Sequence, residues 1–167
     1  MSHAEHKAQS PRQVTCAILT ISDTRTSTTD TGGQAIVDLL IAEGHVVCDR
    51  AIVRDEPADV RAFVEGHLDG GPAQIVITTG GTGISRRDRT YEALTGLFDK
   101  TLDGFGELFR FLSYQEIGSA AMLTRATAGL ARGKVIILLP GSPAAVKLAM
   151  TKLVLPELGH LVREMSR

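Results

Sequence analysis

Three glycines fall within four positions, at Gly80, Gly81 and Gly83, directly after the apolar run Ile75-Val76-Ile77-Thr78-Thr79. Glycine lets the backbone turn sharply there and leave its N–H groups bare. Bare amides beyond a strand end make a cradle for an anion, and a phosphate can approach main chain that carries no Cβ. Thr79, Thr82 and Ser85 add hydroxyls, and Arg86 and Arg87 add positive charge. Asp88 breaks the pattern. A carboxylate beside a phosphate is repulsive unless a cation lies between them, so the combination points to a polyphosphate carried by Mg²⁺. A glycine-rich turn with a solvated charge run behind it is the other reading of the same residues. The loop is neither a Walker A sequence, since no Gly-Lys-Ser/Thr follows, nor of the GxGxxG order.

A second turn, Pro140-Gly141-Ser142-Pro143, follows the apolar run Val135 to Leu139. Ser142 suits a helix N-cap and Pro143 the first helical position, so the turn is either a plain strand-to-helix junction or a second anion site. Acidic residues follow two further strand-like runs. Ser22-Asp23-Thr24 closes Val14 to Ser22, and Asp55 closes Val46 to Val53. Asp30-Thr31-Gly32-Gly33-Gln34 opens a helix, with Thr31 and Gln34 spaced as a capping box.

These residues need a scaffold that gathers them. Strand, helix, strand, helix, strand over Val14 to Thr79, with short connections, predicts right-handed crossovers and an α/β fold of three layers. Its sheet is mostly parallel, with helices on both faces, and ligands bind beyond the carboxyl ends of such strands. Helices are expected over Pro57 to Leu68, Thr90 to Phe98, around Phe105 to Leu112, from Pro143 onward and from Pro156 to about Met165. Four of the five phenylalanines, at 98, 105, 109 and 111, crowd one region. They would either cap the core or line a subunit contact.

Composition removes other classes. The 167 residues suit one domain, 13–167, behind a flexible polar tail, 1–12, and 43% hydrophobic content supplies one sizeable core. With 18 basic against 19 acidic residues the net charge is −1, which gives no general pull toward nucleic acid or an anionic membrane. Aromatic residues make up 4% and tryptophan is absent, so stacking platforms for single-stranded nucleic acid are not expected. No apolar run approaches membrane-spanning length and the first dozen residues do not form a secretory signal, so a cytoplasmic protein is expected. Cys16 and Cys48 read as reduced core thiols, and His3 and His6 as solvated tail residues.

Taken in order, these motifs resemble the MogA/MoaB group of molybdenum cofactor biosynthesis proteins, over roughly Val14 to Leu158 and on the MoaB side most closely. The markers are Ser22-Asp23, Asp30-Thr31-Gly32, Asp55-Glu56, Thr79 to Gly83 with Arg87-Asp88, Phe105-Gly106-Glu107, Leu112-Ser113, Glu116-Ile117-Gly118, Arg125-Ala126 and Pro140 to Pro143. The resemblance implies molybdopterin adenylylation, in which AMP passes from MgATP to the terminal phosphate of molybdopterin and pyrophosphate leaves. It implies Asp55 and Asp88 as catalytic residues and Mg²⁺ ligands, with the nucleotide phosphates on Thr79, Gly80, Gly81, Thr82, Gly83 and Arg87. Ser22, Asp23, Asp30, Glu107, Ser113, Pro140, Gly141 and Ser142 would line the pterin or substrate pocket. A trimer or hexamer is implied, as are contacts with other proteins of the pathway. Thr31 stands where many relatives have serine, and Arg87 precedes Asp88 where some MoaB members have glycine. The second function the resemblance allows is a catalytically silent, molybdopterin-binding oligomer.

Overall fold

The computed structural model describes residues 2–167. Strand β1 (Thr15–Ile21) lies between β2 (Val46–Val53) and β3 (Ile75–Thr79), and β3 pairs on its far side with β6 (Lys134–Leu139), all parallel. Beyond β6 the sheet continues antiparallel through β5 (Thr127–Ala131) and β4 (Lys100–Thr101), in the order β2-β1-β3-β6-β5-β4. The central strands are apolar almost throughout, and successive side chains point to opposite faces, which is why both faces are covered. Cys16 and Ile18, Ile75 and Ile77, and Val135 and Ile137 face one core with Ile36, Phe109, Val146 and Leu158. Ala17, Leu19, Val76, Ile136 and Leu138 face the other with Val60, Val64 and Leu94. Helices α2 (Thr31–Ala42), α5 (Asp103–Ile117), α6 (Pro143–Ala149) and α7 (Leu155–Met165) therefore cover one face, and α3 (Pro57–Leu68) and α4 (Thr90–Thr95) the other.

Most elements lie where their sequence places them, and the differences have local causes. The cap of α2 is Asp30 and not Thr31. Its carboxylate takes the Gly33 N–H at 3.0 Å, which puts Thr31 inside the first turn. The antiparallel pair β5–β6 turns on Arg132-Gly133, both with positive φ (49° and 75°), the backbone of a two-residue hairpin. Arg132 tolerates that conformation with its side chain paired to Asp69 and Glu65. Gly118, which the sequence leaves unplaced, ends α5 at φ 68° and opens a 3-10 helix over Gly118–Leu123. Pro156 sits in the first turn of α7, and the preceding Met150–Val154 widens to a π-helix. Proline has no N–H for the α-helical ladder, and the wider turn carries the chain past it.

Residues 1–12 were expected as a flexible tail, yet within them α1 (His3–Ala8) is helical. Ser2 and Glu5 form a reciprocal capping box, and the helix lies against α7. Of the cysteines, Cys16 is buried and Cys48 half-buried, and both are free thiols, with burial pushing Cys16 up to about 12. Among the described residues no helix is long and apolar enough to cross a membrane.

Strand β3 stops at Gly80. Its φ of 104° lies in the left-handed region, and its N–H donates to the Leu139 carbonyl at 3.0 Å. A Cβ there would overlap the Ile21 carbonyl oxygen, so two strand ends close tightly around this residue. Gly80→Ala is expected to lose at least about 1–3 kcal/mol from the backbone conformation alone. Urea unfolding checks this, and an unchanged midpoint would show that the strand ends have room to give.

Candidate active site

A cavity of about 450 Å³ opens beyond the carboxyl ends of β1, β3 and β6. The chain passes from β1 outward to β2, then crosses back to β3 on the other side of β1. Helices on the two faces diverge at such a reversal, which leaves a crevice there. Its size is that of a small-molecule site. The glycine loop forms one wall from Thr79 to Gly83, together with Asp88. Ser22 and Asp30 line it from the β1 side, and Pro140 and Gly141 from the β6 side.

The carbonyls of Gly81, Thr82 and Gly83 are all engaged by the protein. Gly81 O accepts from Thr90 N at 3.1 Å, Thr82 O from Arg125 N at 2.8 Å, and Gly83 O from Arg125 Nε at 3.0 Å. Arg125 also donates Nη2 to Asp88 O at 3.0 Å, is paired with Glu92, and stacks over Tyr91 at 5.1 Å. Among the described residues, by contrast, no acceptor takes the N–H groups of Gly81, Thr82 or Gly83. Consecutive amides in this state form an anion-binding concavity. The glycines are required for a reason other than ligand approach. A Cβ on Gly81 would collide with Thr90 Oγ1 and lie 3.0 Å from Asp55 Oδ2, so packing within the protein already demands glycine. The buried Thr90 hydroxyl itself has no hydrogen-bond partner among the described residues.

Three carboxylates converge beside this loop. Asp88 Oδ2 accepts from Ser85 N at 2.9 Å and Ser85 Oγ at 2.6 Å, which folds the Ser85–Asp88 turn. Asp55 is buried, takes the Arg89 N–H on Oδ1 at 3.3 Å, and donates its own N–H to Asp23 Oδ1 at 3.2 Å. Burial pushes the Asp55 carboxyl up, the Arg89 amide partly opposes this, and the charges of Asp88 and Asp23 push it further up. Carboxylate oxygens are the donor type a hard divalent cation takes, but Asp23 is already paired with Arg87, and among the described residues the three carboxylates do not bring their oxygens close enough together to form a ready-made three-ligand ion site.

Arg87 is not on the cavity wall. It forks onto Asp23 through two bonds of 2.9 Å and reaches Glu56 with a third of 2.9 Å. This network ties together the loops after β1, β2 and β3, and it holds Asp23 below the usual carboxylate range. Bidentate pairing consumes the fork that would otherwise grip a phosphate. Arg25 stands on the wall instead, donating to Thr29 O at 2.9 Å. Asp55 and Asp23 lie behind the loop, outside the lining. Ser142 caps α6, its Oγ accepting from Ala145 N at 3.2 Å, and does not line the cavity. Glu107 is exposed and Ser113 buried on α5, and neither reaches the cavity within this chain.

The wall also includes residues that motif reading passes over. Thr20 lies under Asp30 and donates to its Oδ2 at 2.7 Å. Ala120, Leu123 and Thr124 come from the 3-10 helix and its exit. Nothing in their types marks them, because only the return of α5 brings them opposite the glycine loop. Asp30 is buried and paired with Arg50 at 3.0 Å. Burial would raise its carboxyl, but hydrogen bonds from Thr20, Gly33 and Arg50 outweigh that and hold it low.

The family model described as "Probable molybdopterin binding domain" matches residues 17–160. Molybdenum cofactor biosynthesis protein B of Bacillus cereus is 49% identical over 168 residues, covering 100% of this chain and 99% of the relative. The chain belongs to the molybdenum cofactor biosynthesis protein B (MoaB) family. A crystal structure of a protein of that name superposes with a TM-score of 0.91 at 49% identity, over 95% of this chain and 99% of the other. The tungsten cofactor synthesizing protein MoaB from Pyrococcus furiosus gives 0.85 at 36%, over 94% and 99%. The matched span takes in every wall of the cavity, so the MoaB-family domain and the crevice coincide.

Two buried aspartates of this MoaB-family domain, Asp30 on the cavity wall and Asp55 behind the glycine loop, are expected to respond oppositely to neutralisation. Asp30 has a lowered carboxyl, so its stabilising contribution is full above the unfolded value near 3.9 and is lost as pH falls through its folded value. Asp55 is raised, so its ionised form opposes folding above its folded value and that penalty disappears in acid. At neutral pH, Asp30→Asn is expected to cost about 1–3 kcal/mol, whereas Asp55→Asn raises the unfolding midpoint. Urea titrations at pH 7 and pH 3 check both. The Asp30→Asn deficit shrinks at the lower pH.

Proposed function

We propose that this chain adenylylates molybdopterin: the terminal phosphate of molybdopterin attacks the α-phosphorus of ATP, a new P–O bond forms, and the bond to the β-phosphate breaks to release pyrophosphate. The observation that carries this reading is the row of three amides, Gly81 to Gly83, whose carbonyls the protein holds and whose N–H groups it leaves unpaired on a cavity wall. Phosphoryl chemistry is mainly positioning and charge neutralisation, and the attacking phosphate is already ionised, so no side chain with a shifted pKa has to take a proton. The amides and Arg25 bind and orient the polyphosphate, and Asp55 and Asp88 would hold Mg²⁺. When bound, that ion neutralises charge on the phosphate oxygens. Asp30 and Ser22, across the cavity, face the space left for the pterin partner.

Assembly into a trimer or hexamer belongs to the same proposal. Leu108, Phe111, Tyr114, Ile117, Met122 and Leu123 are all exposed along α5 and the 3-10 helix after it, a concentration of exposed apolar side chains of the kind subunit contacts cover. Phe109 is fully buried and Phe105 and Phe98 pack against the two cores, so three phenylalanines of the cluster serve the core while Phe111 faces outward. A cytoplasmic location, where molybdopterin and ATP would both be at hand, completes the reading, with other proteins of the pathway supplying the pterin and receiving its product.

Incubation with MgATP and molybdopterin, followed by measurement of pyrophosphate and adenylylated pterin, tests the proposal. Asp88→Asn keeps an oxygen for the Ser85 donors and is expected to fold normally, with turnover reduced about 10–100-fold, as for loss of a metal-site partner. Normal turnover in that variant would reduce Asp88 to a turn-forming residue. Pterin binding without pyrophosphate release in the parent protein would favour the silent carrier, a reading supported by the capture of Arg87 in ion pairs.

A further inference from the structure

Helix α1 contains no buried residue, and six-residue helices do not hold together alone in water. Its placement against α7 therefore rests on polar side chains. Those side chains have an unusual composition. His3 and His6, one helical turn apart, face Glu157, His160 and Glu164 of α7, which are spaced i, i+3 and i+7 along one side of that helix. The ring centroids of His3 and His160 are 5.5 Å apart, edge to face. One donor atom from each of His3, Glu157 and His160 lies within 4.8 Å of the other two, and the same holds for His6, His160 and Glu164.

We propose that His3, Glu157 and His160 form a binding site for one divalent transition-metal ion of the zinc class, which staples the N-terminal helix to the C-terminal one. Two imidazoles and one carboxylate suit such an ion and not magnesium or calcium, and three protein ligands with a fourth position open to water is a common zinc arrangement. A tetrahedral site with bonds of about 2.0–2.2 Å brings ligand atoms to within about 3.5 Å of one another. Glu157 Oε2 and His160 Nδ1 are already 2.9 Å apart, so rotation of the exposed His3 ring is the movement that closes the set. The opposite nitrogen of His160, Nε2, lies 3.8 Å from Glu164 Oε1, in place to orient the ring as carboxylates do behind metal-bound histidines. Lys7 pairs with Oε1 of Glu157 and leaves Oε2 to the site.

The neighbouring group of His6, His160 and Glu164 is the poorer candidate. Arg163 Nη1 is 2.8 Å from His6 Nδ1 and 2.7 Å from Glu164 Oε1, and Arg167 adds a second guanidinium 3.3 Å from Glu164 Oε2. A metal ion there would be a third cation facing both guanidiniums. None of these residues lines the cavity at the strand ends, so the site is separate from the nucleotide and pterin chemistry proposed above.

Calorimetric titration of the whole chain with zinc chloride, in buffer saturated with magnesium, tests this. One equivalent of zinc is expected to bind, with affinity falling at least tenfold in His3→Ala and in His160→Gln and unchanged in His67→Ala, which removes a histidine on the far side of the molecule. Hydrogen exchange of the α1 amides should slow with zinc in the parent and not in His3→Ala. His3 is exposed on a helix without buried residues, so that variant decides the matter even where His160→Gln folds poorly. No saturable zinc binding, or equal zinc affinity in the parent and His3→Ala, would overturn the proposal. Loss of zinc in His6→Ala with retention in His3→Ala would also overturn it, by moving the ion to the other triad.

Discussion

The candidate site depends on how the peptide groups of Gly81, Thr82 and Gly83 are held. Each carbonyl is tied down, one by the first amide of α4 and two by Arg125, and because a peptide's C=O shares its plane with the next residue's N–H, the amides of Thr82 and Gly83 are held in fixed directions. Unpaired amides cost free energy when they lose water, so a loop presenting three in a row is stable only where solvent or an anion reaches them. The strand ends supply such a place. Gly80 closes the loop against Ile21 and Leu139, and the reversal of strand order beside β1 keeps helices from filling the space above it.

The electrostatics around that loop divide into a satisfied side and an unsatisfied one. Asp30 is surrounded by donors and a guanidinium, and it behaves as a structural carboxylate that caps α2 and anchors Arg50 of β2. Asp55, a few residues beyond the end of β2, has one backbone donor and two carboxylate neighbours, and burial leaves its charge poorly compensated. Groups perturbed in this way cluster at functional sites, and ion-pair networks within a fold perturb them as well. Arg87 would be the obvious countercharge, yet Asp23 and Glu56 hold it.

Much of the architecture could be read from residue order. Short apolar runs at Val46 to Val53, Ile75 to Thr79 and Lys134 to Leu139 became strands with those bounds, and Pro57 and Pro143 started helices in their first turns. The short strands β4 and β5 were not legible. Lys100–Thr101 is two exposed residues, and Thr127–Ala131 reads as TAGLA, a run too small and too mixed to carry a strand signal. Their pairing comes from the Arg132-Gly133 hairpin and from the edge of β6. The N-terminal helix was hidden for a similar reason, since its residues have no apolar face and its order comes from side chains about 150 positions away.

For the site itself, the sequence alone determined the glycine loop, its acids and the family, because these depend on residue types at fixed local spacing and the chain cannot place them elsewhere than at strand ends. Tertiary structure decided which of them face the cavity. Thr79 to Gly83, Asp88, Asp30 and Pro140 do, while Arg87, Ser142, Glu107 and Ser113 are spent on ion pairs, a cap or another surface. A side chain's direction and its partner depend on residues distant in the chain, and a string of letters holds no information about which of two nearby acids an arginine reaches first.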